Sequence, residues 1–189
     1  MQQTSRPGVA RILVLLPVAL VLWAAVPRAG QESKSSAAAR ELSQVLATAK
    51  LDAMAVADPA SPGTFIAAIY IPETQLLVVS ANYSAPSLLT DKIKAGDFRG
   101  VYMDLHAAGT AGTRVFVQDM GPDGLVSRND NGDSWEEAGK TTTFDGQWKK
   151  TKLTEAEYAK TFSGADERYA KMLALLLGQS RQVKGGTGS

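Results

Sequence analysis

The chain has 189 residues, with 20 Lys and Arg against 19 Asp and Glu, one histidine and no cysteine. Without cysteine there can be no disulfide staple, no thiolate metal centre and no acylated N-terminal cysteine. Basic and acidic residues are interspersed apart from Lys149-Lys150-Thr151-Lys152, which excludes the basic stripe that marks a nucleic-acid partner.

The N-terminal end carries the clearest signal. Arg6 and Arg11 precede the uncharged apolar run from Ile12 to Val26, and a polar, small-residue stretch from Gly30 to Ala39 follows. Basic, then apolar, then polar is the layout of a secretory signal. The run is shorter than the roughly 20 residues that span a bilayer core. Residues 1–30 are therefore read as a signal peptide or, if uncleaved, an N-terminal anchor, with Ser35-Ser36-Ala37 offering small residues that suit a peptidase. The protein is expected to be exported, periplasmic or extracellular, and to touch membrane only through this segment. No Arg-Arg pair is present, which points to the general secretory route. Three arginines precede Gln31, so 17 basic and 19 acidic side chains remain beyond it, a net charge of −2. A chain of that size buries a core unaided, and one domain is expected.

Residues 31–36 read as a tether, and residues 37–178 as a single α+β domain. Leu42, Val45, Leu46 and Ala49 recur at helical spacing, predicting a helix over about 37–50. Leu51–Ala57, Phe65–Ile71 and Leu76–Asn82 are short runs rich in Ile, Val and Tyr, hence strands, with Val78 expected in the core. Ser61-Pro62-Gly63 separates the first two, and Pro72-Glu73-Thr74-Gln75 joins the second and third as a tight hairpin. Proline in the first turn and Gly96 at the end frame a short helix over Pro86–Ala95. Val101–Ala107 and Arg114–Met120 read as a second hairpin across Gly109–Gly112. Gly121–Lys140 reads as a long polar loop of the kind that is usually functional, and Thr141–Phe144 as a further strand turned by Asp145-Gly146. Two helices close the domain: one opened by a Thr154/Glu157 capping box, the other beginning after Ser163 with Tyr169, Met172, Leu173 and Leu176 on one face. Residues 179–189 lack an apolar pattern and read as a disordered tail. This order predicts an α+β fold whose mainly antiparallel sheet curls into a β-barrel with flanking helices.

Three constellations could carry chemistry. His106 lies two residues after Asp104, so a strand would place both on one face. The predicted hairpin would bring Asp119 diagonally to the same face. Asp104 could then orient the imidazole as a base, or the three could hold a divalent metal. Asp119-x-Gly121-x-Asp123-Gly124, with Asp130 at the twelfth place, partly imitates a calcium loop, although its third position offers no side-chain oxygen. Trp135 suits either packing or the cap of a ligand pocket, and Trp148 suits packing of the last helices on the sheet.

One stretch carries a likeness to a known family. Leu76-Leu77-Val78-Val79-Ser80-Ala81-Asn82-Tyr83-Ser84 is followed by a helix with Leu88, Leu89 and Lys92, then by Tyr102-Met103-Asp104-Leu105. This order resembles the FMN-binding split barrel of the pyridoxamine-phosphate-oxidase-like superfamily, over about residues 51–120. The resemblance implies a split-barrel-like sheet and a flavin phosphate held at the turn of residues 82–87, by Asn82, Tyr83, Ser84 and Lys92. Between Ala81 and Asp91 there is no lysine or arginine, so hydroxyls, an amide and a helix N-terminus would hold that phosphate. The leading expectation is an exported binding or accessory module for a small molecule of unknown identity. Its pocket would lie between residues 82–87 and the 121–140 loop, and a homodimer is compatible with it. The alternatives are an FMN-dependent oxidoreductase and a metal-dependent hydrolase using Asp104, His106 and Asp119.

Overall fold

The computed structural model describes residues 33–49, 53–84, 97–107, 114–127, 132–144 and 152–185. The apolar run of residues 12–26, the expected Pro86–Ala95 helix, Lys92, Asp130 and Trp148 lie outside them.

Six strands form one antiparallel sheet in which every neighbour in sequence is a neighbour in space. They are β1 (Ala53–Ala57), β2 (Phe65–Ile71), β3 (Leu76–Tyr83), β4 (Val115–Met120), β5 (Ser134–Glu137) and β6 (Lys140–Thr143). The sheet is open, with β1 and β6 at its edges. Helices α1 (Ser36–Ala49) and α3 (Glu155–Gly185) cover one face, and α2 (Phe98–Ala107) covers the other. The class is α+β, as the sequence predicts. Coverage on both sides explains why β2 is an unbroken apolar run and why β3 opens with four apolar residues. Ile66, Ala68, Tyr70, Leu77 and Val79 face α1 and α3, while Ala67, Ile69 and Val78 face α2. Pro72–Thr74 form a single 3-10 turn, and Gln75 in the left-handed region lets Ile71 pair with Leu76.

One irregularity matters for the site. The register of β2 on β3 slips between Phe65 and Ala67, and Asn82 adopts φ +60°. The extra residue of such a bulge turns the next side chain over. Ala81 faces α1 and α3, and strict alternation would put Tyr83 with it. Tyr83 instead packs against Val101 and Leu105 on the α2 side, fully buried.

Five sequence expectations are corrected. Val101–Ala107 is the body of a helix, not a strand. Val101 and Leu105 bury one helical face, and Met103, which alternation would turn inward beside Leu105, is 53% exposed. Asp97 caps that helix, its Oδ1 accepting from the Gly100 amide at 2.9 Å. One of the strands on which the split-barrel likeness rested is therefore absent. The closing helices are a single element of 31 residues. The buried series Tyr158, Ala165, Tyr169, Met172, Leu173 and Leu176, with Phe162 partly buried, passes through Gly164 without a break. A helix-interior glycine costs only about 1 kcal/mol against alanine, so the packed face wins. That helix continues to Gly185, so the expected tail is helical from Gln179 to there. The 121–140 segment includes β5 and begins β6, joined by Ala138 (φ +52°) and Gly139 (φ +75°) in the tight hairpin turn that needs two left-handed residues.

Residues 33–36 belong to the domain as well, not to a tether. Ser35 is buried, and its Oγ donates to Asp166 Oδ1 (2.7 Å) while accepting from the Leu125 amide (3.0 Å). Asp166 also receives the amides of Lys34 (2.8 Å) and Ser35 (3.1 Å). The capping box stands as predicted: the Thr154 amide donates to Glu157 Oε2 at 2.8 Å, and the Glu157 amide returns to Thr154 Oγ1 at 3.3 Å.

Val78 has no exposed surface. Val78→Asp would bury a charge among apolar side chains, and the melting temperature should fall by about 10 °C or more, or cooperative unfolding should vanish. A thermal denaturation curve unchanged from wild type would contradict the placement of β3.

Candidate functional site

The α2 face carries two of the polar residues that the sequence singled out, Asp104 and His106. His106, in the last turn of α2, brings Nε2 to 3.2 Å from Glu136 on β5, whose other carboxylate oxygen accepts from Arg114. The imidazole rests edge-on against Phe116, with centroids 4.9 Å apart. Burial pushes the Glu136 carboxyl up, but the hydrogen bonds from Arg114 and His106 outweigh it and hold the group below the ordinary carboxylate range. One turn earlier, the Tyr102 hydroxyl lies 3.1 Å from Gln118 Oε1, and Gln118 donates to Ser134 Oγ at 3.1 Å.

Asp104 accepts from the Tyr83 hydroxyl at 3.4 Å. Burial, with the adjacent Asp104 carboxylate, raises the Tyr83 phenol to about 12. A hydroxyl committed to a carboxylate is a poor donor to a phosphate, because a second anion there would meet the first. Ser84 is exposed at the end of β3, and the Asn82 side chain is 3.4 Å from Thr64 Oγ1. Among the described residues, then, the expected phosphate turn contributes one exposed hydroxyl, that of Ser84.

The proposed Asp104–His106–Asp119 cluster does not form. Asp104 and His106 stand on α2, whereas Asp119 points through the other face of the sheet toward α3, where the Tyr169 hydroxyl donates to it at 3.0 Å. The hairpin assumed for residues 101–120 had put them on one face, and the helix removes it. Nor is Asp119 open to calcium. Its Oδ1 accepts the Asp123 amide (3.1 Å) and its Oδ2 the Gly124 amide (3.0 Å). Backbone donors thus occupy the directions a cation would need. Asp133 holds the same turn from its other side, accepting the amides of Met120 (3.1 Å) and Val126 (2.7 Å). Asp123 keeps one buried side-chain oxygen without a hydrogen-bond partner. Among the described residues no three His, Asp or Glu side chains are grouped to hold a metal. Of the segments expected to form a pocket, residues 85–87 and 128–131 lie outside the described residues. Antiparallel pairing places Gly121 beside Gln75, at the opposite end of β3 from Tyr83, while Glu137 pairs with Val115 at the Ala81 end.

A groove that the sequence did not indicate lies between the β5–β6 hairpin and the first turns of α3. It has a volume of about 460 Å³, and Trp135, Leu153, Ala165, Gly164, Lys160 and Arg168 are among its lining residues. A recess of about 180 Å³ adjoins it, sharing Trp135, Glu137, Leu153 and Thr161 and adding Lys140 and Thr142. Trp135 is held in place. Its indole N–H donates to Glu137 Oε2 at 3.3 Å, and the Arg168 guanidinium lies over its ring, 5.0 Å from the centroid. Arg168 also spans both Glu137 oxygens at 2.7 and 2.8 Å. A planar fork stacked on an indole is more rigid than an exposed ion pair alone. Nothing lies within 4 Å of the position a Gly164 Cβ would occupy, so that side of the groove is open. Trp135 was legible as a pocket candidate, but its neighbours were not, because they come from a four-residue strand and a helix read as two.

No protein-family model matches this chain, and no curated protein or solved structure is significantly similar to it.

Asp119 supplies a pH test. Burial, reinforced by the nearby Asp133 carboxylate, pushes its carboxyl up to about 7, against the opposing pull of Tyr169 and the Gly124 amide. Between its unfolded pKa of about 4 and the folded value, the native state holds a proton that the unfolded chain has released. Stability should therefore decline as pH rises from about 4 to about 7, and Asp119→Asn should flatten that decline. Melting temperatures that hold level or rise over that interval in the wild type would contradict the assignment.

Proposed function

We propose that this chain is an exported ligand-binding or accessory module that seats a small molecule in the Trp135 groove. The observation that carries this reading is an aromatic floor locked by Glu137 and Arg168 beneath an open volume of ligand size. Binding sites combine a concave apolar surface with a few fixed polar groups, and they work best when their walls are rigid before the ligand arrives. On the α2 face, the pairing of Glu136 with both His106 and Arg114 fits a role in bracing α2 on the sheet. Export follows from the basic, apolar, polar order of residues 1–39. Among the described residues no helix is long and apolar enough to cross a membrane. The flavin-dependent oxidoreductase of the split-barrel kind is the competing reading, and flavin absorbance that co-purifies with the chain would favour it.

Gly164 and Gly178 test the groove. Both are solvent-facing positions inside α3 with open space where a Cβ would go, but only Gly164 lines the groove. Leucine at either should leave the fold intact, since it replaces a poor helix former with a good one. Titration with the fluorescent aryl sulfonate 1-anilinonaphthalene-8-sulfonate should show a binding component that Gly164→Leu weakens by at least about tenfold, the cost of about 1.4 kcal/mol of lost contact. Gly178→Leu should leave it unchanged, and both variants carry the same apolar N-terminal run, which cancels from the comparison. Equal binding by the two variants would contradict the groove as the ligand seat.

A further inference from the structure

The charges around the groove are not evenly committed. Glu137 is neutralised by Arg168 through two hydrogen bonds. The Glu157 carboxylate turns back on the helix start, where the Thr154 amide and hydroxyl bind it at 2.8 and 2.7 Å. Lys160 on α3 lines the groove and Lys140 on β6 lines the recess that adjoins it, and neither ammonium has a hydrogen bond or salt bridge among the described residues. Lys140 lies near enough to Glu157 to help hold its carboxyl low. Two exposed cations without a hydrogen bond or salt bridge among the described residues therefore border the apolar lining that Trp135 and Leu153 give to both the groove and the recess.

We infer that the groove selects amphiphilic anions: molecules with an aromatic or aliphatic body that lies against Trp135 and Leu153, and an acidic group that Lys140 and Lys160 hold between them. This rests on the groove being the ligand seat. Charge complementarity makes the choice. A cationic ligand would have to share Glu137 with Arg168 and Glu157 with the Thr154 amide and hydroxyl, whereas an anion meets two exposed ammonium groups that make no hydrogen bond or salt bridge among the described residues. Lysine suits this task because its flexible stem lets the charge follow an acid of any geometry. Gly164 then sets the size of the body. The open space at its Cβ position adjoins Ala165, and any side chain there would shorten the apolar slot.

Two probes with one aromatic body separate the claims. 1-Anilinonaphthalene-8-sulfonate carries an anion, and N-phenyl-1-naphthylamine has the same rings without it. Both should bind the wild-type full chain, and Gly164→Leu should weaken both. The double substitution Lys140→Met and Lys160→Met should weaken the sulfonate by at least about tenfold, since charge-assisted hydrogen bonds are roughly twice as strong as neutral ones. The neutral probe should be held as tightly as before, and raising the salt concentration should weaken only the sulfonate. Methionine keeps the length and apolar stem of lysine, so the fold should be retained, and an unchanged melting temperature verifies it. If the lysine substitutions leave sulfonate binding intact while Gly164→Leu still weakens both probes, anion selection is overturned and the groove stands. If Gly164→Leu affects neither probe, the groove itself is overturned.

Discussion

Three buried carboxylates, each filled by main-chain donors, hold the rest of this molecule in place. Asp119 and Asp133 grip the 120–126 turn from two sides, and Asp166, midway along α3, grips the chain at Lys34 and Ser35. A buried carboxyl oxygen left without a donor costs about 1–3 kcal/mol, so each acid fixes its donors as firmly as they fix it. Ser35 joins the systems by donating to Asp166 while accepting from Leu125. Gly124 lets them meet. At φ +83°, a Cβ there would stand 2.6 Å from Ser35 Oγ and from the Ser36 amide nitrogen, a contact no side chain survives. The start of α1, the turn after β4 and the middle of α3 thereby become one cooperative unit.

That unit also determines where a ligand can sit. Asp166 and Tyr169 bind the hub from α3, and Arg168 lies between them in sequence, so anchoring the helix aims the guanidinium at Trp135 and Glu137. Rigidity in the core is passed to the surface through a few residues of one helix. The opposite face of the sheet follows a different logic. There α2 is fastened by two polar links, His106 to Glu136 and Tyr102 to Gln118, beside the apolar contact of Val101 and Leu105 with Tyr83.

Much of the fold was legible in the sequence because strong local rules agreed with the tertiary result. Phe65–Ile71 and Leu76–Tyr83 are β-branched, apolar and joined by a proline turn, and Thr154 with Glu157 announces a helix start in any context. The failures have physical causes. Val101–Ala107 satisfies alternation at Met103 and Leu105 as readily as it satisfies i, i+4 spacing at Val101 and Leu105. Asp97, the cap that decides between them, lies outside the apolar pattern. Gly164 looked like a boundary because propensity was weighed without the packing face that runs through it. Asp119 was chemically conspicuous, but nothing in its spacing says that its oxygens serve the amides of residues 123 and 124. The groove was the least visible feature, since Trp135, Lys140 and Lys160 become neighbours only once β5, β6 and α3 are assembled.

The dependence of the whole on the carboxylate hub can be measured by native-state hydrogen exchange. The amides of Lys34, Ser35, Met120, Asp123, Gly124, Leu125 and Val126 all donate to hub side chains, although most of them lie outside helices and strands. If the hub is the cooperative centre, these amides should exchange only through global unfolding, with protection equal to that of the central β3 and β4 amides. Exchange of the Asp123, Gly124 and Val126 amides at the rates of an open loop, while β3 and β4 stay protected, would contradict it.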